Sequence, residues 1–448
     1  LLEQAQRAVA EGRFIAEDGI FYNPEPLGKK GKLAFVYPGS GNHFHGMGRD
    51  LSCQWPQVLC RLDQENEYLA TQFAKGRFWR SETNQELSHE DLIFGQVWLG
   101  TLVSDVLCLF GVRPDAIIGY SLGETAGLFA TRTWTERDEM LRRMQATDLF
   151  TRQLAGPCAS ARKAWNLSGS ESVDWLVGVI DRPAESVKQA LADQTHVYLL
   201  IINTPEECVI GGDRAAVLSL VRTLDCHFHP VQGVTTVHCE VARPVQGPYR
   251  DLHLFATTPP AGVSFYSGVW GRAYVVSRDS AADSITGQAV QCFDYTQVIH
   301  AAYADGVRIF IEMGPGATCT RMIDQILGDR PHMARALCVR GQDSVSNVLH
   351  TVARLIAEQV PVDLGVLYEQ EPVEVKESNP QSLIRVATGG RPFVVPAPPL
   401  PKNIPDAADT IPIYPVRAGV EAEHSLTARP AVSGQTIFID TILDQMRT

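Results

Sequence analysis

Gly119-Tyr120-Ser121-Leu122-Gly123 follows directly on the apolar run Ala116-Ile117-Ile118. A serine between two glycines, at the exit of a buried strand and the start of a helix, is forced onto a tight bend, and its hydroxyl stands clear as a nucleophile. Glu124 to Ala130 are compatible with a helix. The hydroxyl would then sit at a helix N-terminus, where the Leu122 amide can donate to a developing oxyanion. The plainer alternative is an ordinary strand-to-helix turn whose glycines serve backbone geometry alone. Pro38-Gly39-Ser40-Gly41-Asn42 ends a second apolar run, Leu33 to Tyr37. Its glycines let successive amides turn inward as an anion-binding nest, which makes the Ser40 amide a second candidate oxyanion donor. No Gly-Lys-Ser/Thr follows, so this is not a nucleotide-phosphate loop.

A serine nucleophile needs a base. Of the twelve histidines, His238 in Thr235-Thr236-Val237-His238-Cys239 stands where the chain returns from a small subdomain to a larger one; a structural histidine is the bland alternative. His43 with His45, and His227 with His229, form H-x-H pairs. Neither has a third and fourth ligand nearby in sequence, and no metal site is expected.

The elements that must position these residues follow from periodicity. Leu33–Tyr37 and Asp115–Gly119 are expected strands with a long helix around Gly95–Phe110 between them, the alternation of a parallel α/β sheet. Strand 175–180, helix 184–192, strands 197–202 and 208–212, helix 214–224 and strand 227–232 give a βαββαβ order, the split pattern of a ferredoxin-like unit. The α/β pattern resumes with strand 263–266, a helix near 294–305, strand 307–312 and a helix after Pro315. An amphipathic helix covers 343–359, and residues 391–415 hold eight prolines, a linker composition. The expected organisation is an N-terminal linker (1–30), a hydrolase-like parallel-sheet large domain in two parts (31–172 and 233–340), an inserted ferredoxin-like small subdomain (173–232), a following helix and linker (341–375), and a proline-rich linker or the start of a next region (376–448).

Composition narrows the function classes. The 448 residues are 45% hydrophobic and 20% charged, enough apolar material for a large core. A net charge of −12, from 39 basic and 51 acidic residues, argues against a nucleic-acid binder acting through overall charge. No uninterrupted apolar run reaches about 18 residues, so no membrane partner is expected. Ten scattered cysteines without a C-x-x-C fit reduced thiols and a cytoplasmic setting. The opening Leu1-Leu2, without methionine or signal features, reads as a piece of a longer polypeptide.

In order along the chain, these motifs resemble the malonyl-CoA:carrier-protein transacylase family, specifically the acyltransferase domain of polyketide synthases, over roughly residues 31–370. Phe35-Val36-Tyr37-Pro38-Gly39-Ser40-Gly41 with Gly46-Met47-Gly48 resembles its F-x-F-P-G-Q-G…G-M-G, and Gly119 to Glu124 its G-H-S-x-G-E. Asn203-Thr204-Pro205 with Val209-Ile210-Gly211-Gly212 resembles N-x-P…V-I-S-G. Phe310 to Gly316 resembles F-x-E-x-G-P-G, and Val362-Asp363-Leu364 with Leu367-Tyr368 resembles V-D-W-x-x-L-Y. Gly119 to Glu124, together with Gly389-Gly390-Arg391-Pro392-Phe393, looks most like iterative synthases of the polyunsaturated-fatty-acid type.

The resemblance implies ping-pong acyl transfer with no tightly bound cofactor. Ser121 attacks an acyl-CoA with His238 as general base, the Ser40 and Leu122 amides hold the oxyanion, and the Gln288 carbonyl orients His238. The acceptor is the phosphopantetheine thiol of an acyl carrier protein, and the neighbours are other synthase domains, a ketosynthase among them. Tyr120, Ala146, Thr235, Val237 and Asn203 take the positions of substrate-pocket residues. Three departures bear on the acyl group. Tyr120 replaces a histidine, Thr235-Thr236-Val237-His238 matches neither selectivity motif of the family, and Ala146 stands where malonyl-accepting members carry a carboxylate-binding arginine, with Arg142, Arg143 and Arg152 nearby. A proofreading acyl hydrolase shares the missing arginine and remains an alternative. An ordinary α/β-hydrolase and a structural docking domain are further ones.

Overall fold

The computed structural model describes residues 1–17, 19–73, 78–79, 87–168, 171–231 and 235–368. The chain divides into two units, Leu1–Val373 and Glu374–Thr448, and the described residues all belong to the first. The proline-rich stretch 391–415, the segment 389–393 and the expected linker 376–448 lie outside them. In chain order the strands are β1 (Ile15–Glu17), β2 (Ile20–Tyr22), β3 (Lys32–Tyr37), β4 (Ala116–Gly119), β5 (Trp175–Ile180), β6 (Val197–Thr204), β7 (Glu207–Asp213), β8 (Phe228–Pro230), β9 (Ser264–Ser267), β10 (Arg272–Tyr274), β11 (Phe293–Asp294), β12 (Val307–Pro315) and β13 (Met333–Cys338).

Leu33 to Tyr37 and Ala116 to Gly119 are buried along their whole length, the pattern of strands covered on both faces. They form the middle of a six-stranded sheet in the order β10-β9-β4-β3-β12-β13, parallel throughout except for the β9–β10 pair. The loops after β3, β4 and β12 therefore gather at one edge, where open parallel sheets bind their ligands. The helix His89–Leu109 is 21 residues long and apolar enough by composition to cross a membrane, yet 78% of its apolar window is buried inside the domain. It is a core helix, packed on β12 and on the helix Gly123–Ala130, and apolar on all sides because it is covered on all sides. A Ser88–Asp91 capping box starts it.

The insert has the expected βαββαβ order and folds into a sheet ordered β11-β6-β7-β5-β8. Ile180, Val187, Ile210, Val217 and Leu220 fill the layer between this sheet and its two helices, Ala184–Leu191 and Arg214–Leu224. Val177, Leu200 and Val209 face the other way, toward the large subdomain. The sheet does not end with the insert. β11, contributed by residues 293–294, pairs in parallel with β6 and ties the two subdomains together.

The expected N-terminal linker needs correction. Residues 1–30 carry the helix Leu2–Ala10 and the β1–β2 hairpin. They are fastened to the end of the helix Ser344–Ala357 by Glu358, which is fully buried. Its carboxylate accepts from Asn23 Nδ2 and from the Leu27 amide, each at 2.8 Å, and is paired with Arg354. A buried carboxylate needs such partners, so this stretch is part of the folded body.

Among the described glycines of the large subdomain the tightest approach is at Gly123, where a Cβ would stand 1.9 Å from the Tyr37 carbonyl oxygen. Gly123→Ala is expected to lower unfolding free energy by about 3 kcal/mol or more, at the upper end of overpacking costs. Gly247→Ala, at a helical site with open space around it, should leave the denaturation midpoint nearly unchanged. Equal midpoints for Gly123→Ala and the unmodified chain would contradict the packing of this turn on β3.

Candidate active site

β4 delivers Ser121 onto the bend between strand and helix. Its φ of 55° lies in the left-handed region, a conformation that costs a non-glycine residue on the order of 1–3 kcal/mol and persists only where the surroundings impose it. The imposition is visible on both sides. A Cβ at Gly119 would come within 2.1 Å of the Glu124 amide nitrogen, and the Tyr120 amide donates to the Tyr37 carbonyl at 2.9 Å. Ser121 Oγ is thereby held 2.8 Å from His238 Nε2.

His238 is buried and also left-handed, with φ 67°. Its amide donates to the Ala289 carbonyl at 2.7 Å, and its Nδ1–H donates to the Gln288 carbonyl at 2.6 Å. With Nδ1 as the donor, Nε2 carries the lone pair that faces Ser121. Burial pushes the imidazole down to about 4, against a smaller upward pull from the Gln288 carbonyl. The ring is therefore neutral at pH 7, the state a general base requires. The same Gln288 returns its side-chain Nε2–H to the Ser121 carbonyl at 3.2 Å.

The loop after β3 is held from three sides. Gln96, on the long core helix, donates to the carbonyls of Pro38 and Gly39. Asn42 donates to the Gly39 carbonyl at 3.0 Å and accepts from Thr318 Oγ1 at 2.7 Å. With the carbonyls engaged, the amides of Ser40 and Leu122 have no protein acceptor among the described residues. Two such free donors beside a nucleophile can stabilise an oxyanion. Below them Glu124 is buried and accepts from the Gly268 amide and from Ser284 Oγ; desolvation raises it to about 7. It anchors the helix Arg278–Val290, whose last turn presents the Gln288 carbonyl.

Sequence reasoning did not single out Gln96, Asn42, Thr318, Glu124, Glu207, Ser284 or Arg321. The signal for Gln96 was present as a lone amide in an apolar helix. Tyr120 OH donates to Asn203 Oδ1 at 2.7 Å, Asn203 Nδ2 donates to Glu207 at 2.8 Å, and Glu207 takes two bonds from Arg321.

A cavity of about 360 Å³ opens between the two subdomains, lined by Ser40, Tyr120, Ser121, Leu122, Asn203, Thr235, Val237, His238 and Gln288 among others. Ala146 is absent from that lining, a correction to its expected place in the pocket. The helix Arg137–Gln145 ends one residue earlier, and Ala146, its C-cap, faces solvent; Met140 and Met144 supply the lining instead.

The family model for the acyl transferase domain matches residues 34–359. A polyunsaturated fatty acid synthase polypeptide from Thraustochytrium is 24% identical over 77% of the chain, which spans only 18% of that relative's length. A malonyl CoA-acyl carrier protein transacylase from Bacillus subtilis is also 24% identical, over 66% of the chain and 90% of the relative. Among solved structures, the acyltransferase domain from the second module of the salinomycin polyketide synthase superimposes with a TM-score of 0.63 at 20% identity, covering 82% of this chain and 83% of that one.

The burial of His238 sets a pH dependence. Reaction of Ser121 with a serine-directed sulfonyl fluoride should proceed at a constant rate from pH 8 to near 5. It should fall about tenfold per unit only below pH 4, as the imidazole protonates at its depressed value of about 4. An apparent pKa at the ordinary 6.5, read by intact-protein mass spectrometry, would contradict a buried base.

Proposed function

Since this chain belongs to the acyl transferase domain family, we propose that it moves an acyl group from a coenzyme A thioester to the phosphopantetheine thiol of an acyl carrier protein. The observation that carries this reading is the 2.8 Å contact from Ser121 Oγ to His238 Nε2, with Nδ1 fixed on the Gln288 carbonyl. Ser121 Oγ attacks the thioester carbonyl and its proton passes to Nε2. Charge on the tetrahedral oxygen is held by the Ser40 and Leu122 amides. The C–S bond breaks, His238 returns the proton to the departing thiolate, and an acyl-serine remains. The carrier thiol then repeats the sequence in reverse, giving its proton to His238 and taking the acyl group. A main-chain carbonyl replaces the carboxylate of a Ser-His-Asp triad; it fixes the tautomer and orientation of the ring without placing a second charge beside it.

Acyl-CoA is the donor substrate here, not a resident cofactor. The names of the relatives support an acyl carrier protein as acceptor and a polyketide or fatty-acid synthase as the setting; a neighbouring ketosynthase and a cytoplasmic location are part of the same proposal. The Bacillus relative's name includes malonyl-CoA, which makes malonyl the reference acyl group.

Ser121→Ala should abolish the acyl-dependent mass shift that follows addition of acyl-CoA. A persisting adduct would point to another nucleophile. His238→Ala should slow acylation by roughly 10³–10⁴-fold, the usual loss for the base of such a unit, measured by quenched-flow mass spectrometry. A loss of less than tenfold would remove His238 from that role.

A further inference from the structure

Resting on the transferase reading, we infer that the acyl group carried on Ser121 is an uncharged aliphatic chain and not a dicarboxylate. Apolar side chains line the cavity from several elements: Val97 of the long core helix, Phe129 of the helix after Ser121, Met140 and Met144 one turn apart on the next helix, and Leu252 and Ile285; the polar side chains His89, Thr125 and Gln288 on these elements carry no permanent charge. Among the described residues the only side chain in the lining with a permanent positive charge is Arg321, and Glu207 already holds it through both terminal nitrogens at 2.9 and 3.1 Å. The pair has no net charge to offer. The lining histidines add none, since burial pushes His89 below its ordinary value and brings His238 and His253 down to about 4.

None of the other nearby arginines, Arg137, Arg142, Arg143 and Arg152, lines the cavity. Arg143 bonds Glu139 and the carbonyls of Asp251, Leu252 and Leu254, and stacks over Phe255. Arg142 is exposed and paired with Glu139. Arg152 is exposed on the turn Leu149–Gln153. Arg137 is buried; it donates to Thr101 Oγ1 at 2.8 Å and keeps Nε and Nη1 without a partner among the described residues, but it lies over the Phe129 ring and does not reach the lining. A free carboxylate on the acyl group would be taken out of water with no unpaired cation in the lining to meet it, which is strongly unfavourable. Methylenes in the same place gain with each carbon.

The test is a competition series on the complete chain, reading Ser121 acylation by mass spectrometry with acetyl-, butyryl-, hexanoyl-, octanoyl- and malonyl-CoA. The second-order rate constant is expected to rise about fourfold per methylene from acetyl-CoA until the cavity is filled, the equivalent of about 0.8 kcal/mol per buried CH₂. Malonyl-CoA should react at least about 100-fold more slowly than butyryl-CoA, which is of similar length. In Met144→Arg, which adds a cation to the wall, the malonyl-to-butyryl ratio should rise at least tenfold. Malonyl-CoA matching or exceeding butyryl-CoA would overturn the inference while leaving the transferase reading intact. Failure of every thioester to label Ser121 would overturn the transferase reading itself, and the inference with it.

Discussion

The backbone of Gly123 runs against the carbonyl of Tyr37 so closely that no Cβ fits between them, and much of the site inherits its position from that touch. Tyr37 is the last residue of β3. Its carbonyl receives the Tyr120 amide, its ring packs on Gly100, and its hydroxyl bonds Ser104 at 2.9 Å on the core helix. The loop that follows it carries Ser40, and the turn pressed against it carries Ser121. Ser121 and the candidate oxyanion donors are thus registered by one residue on a buried strand and not by two independent loops. The left-handed φ at Ser121 is a local cost of that arrangement, offset by the packing of both elements on a fully covered sheet.

His238, the proposed base, is positioned by a different segment. Helix Arg278–Val290 ends by offering the Gln288 carbonyl to His238, and a few residues later the same chain enters the small sheet as β11. Orientation of the imidazole and attachment of the small subdomain are consequently properties of one continuous stretch. Glu124, bonded to Gly268 and Ser284, ties that stretch back to the helix behind the nucleophile. Ser121 and His238, the proposed proton-transfer pair, come from separate segments of the chain, and a buried carboxyl group links those segments.

Much of this was legible in the order of residues. The two runs Leu33–Tyr37 and Ala116–Gly119 read as buried strands because nothing polar interrupts them, and the βαββαβ order of the insert followed from its alternating periods. The elbow at Ser121 was readable because a serine flanked by glycines, between a buried strand and a helix, meets the steric demands of a tight bend. The helix Arg278–Val290 was missed. Its Ala, Ser, Thr and Gly residues carry no apolar stripe, and it is buried by being thin, not by being greasy. The placement of Ala146 did not follow from the family resemblance, since the end of the helix Arg137–Gln145 turns the next residue to solvent. Tertiary bonds such as Gln96 to Pro38 join residues 58 positions apart, a separation that no local pattern encodes.

Glu358 bears on how this unit can be lifted from one chain and set into another. The family match begins at residue 34, and a cut made there would discard Asn23 and Leu27, which donate to a carboxylate deep beside the last helix. Arg354 would remain, but two of the donors would go, and a buried acid would be left short of partners. A domain exchange that respects the physics carries residues 1–30 along with the catalytic body, so the seam for grafting lies upstream of the first recognisable motif.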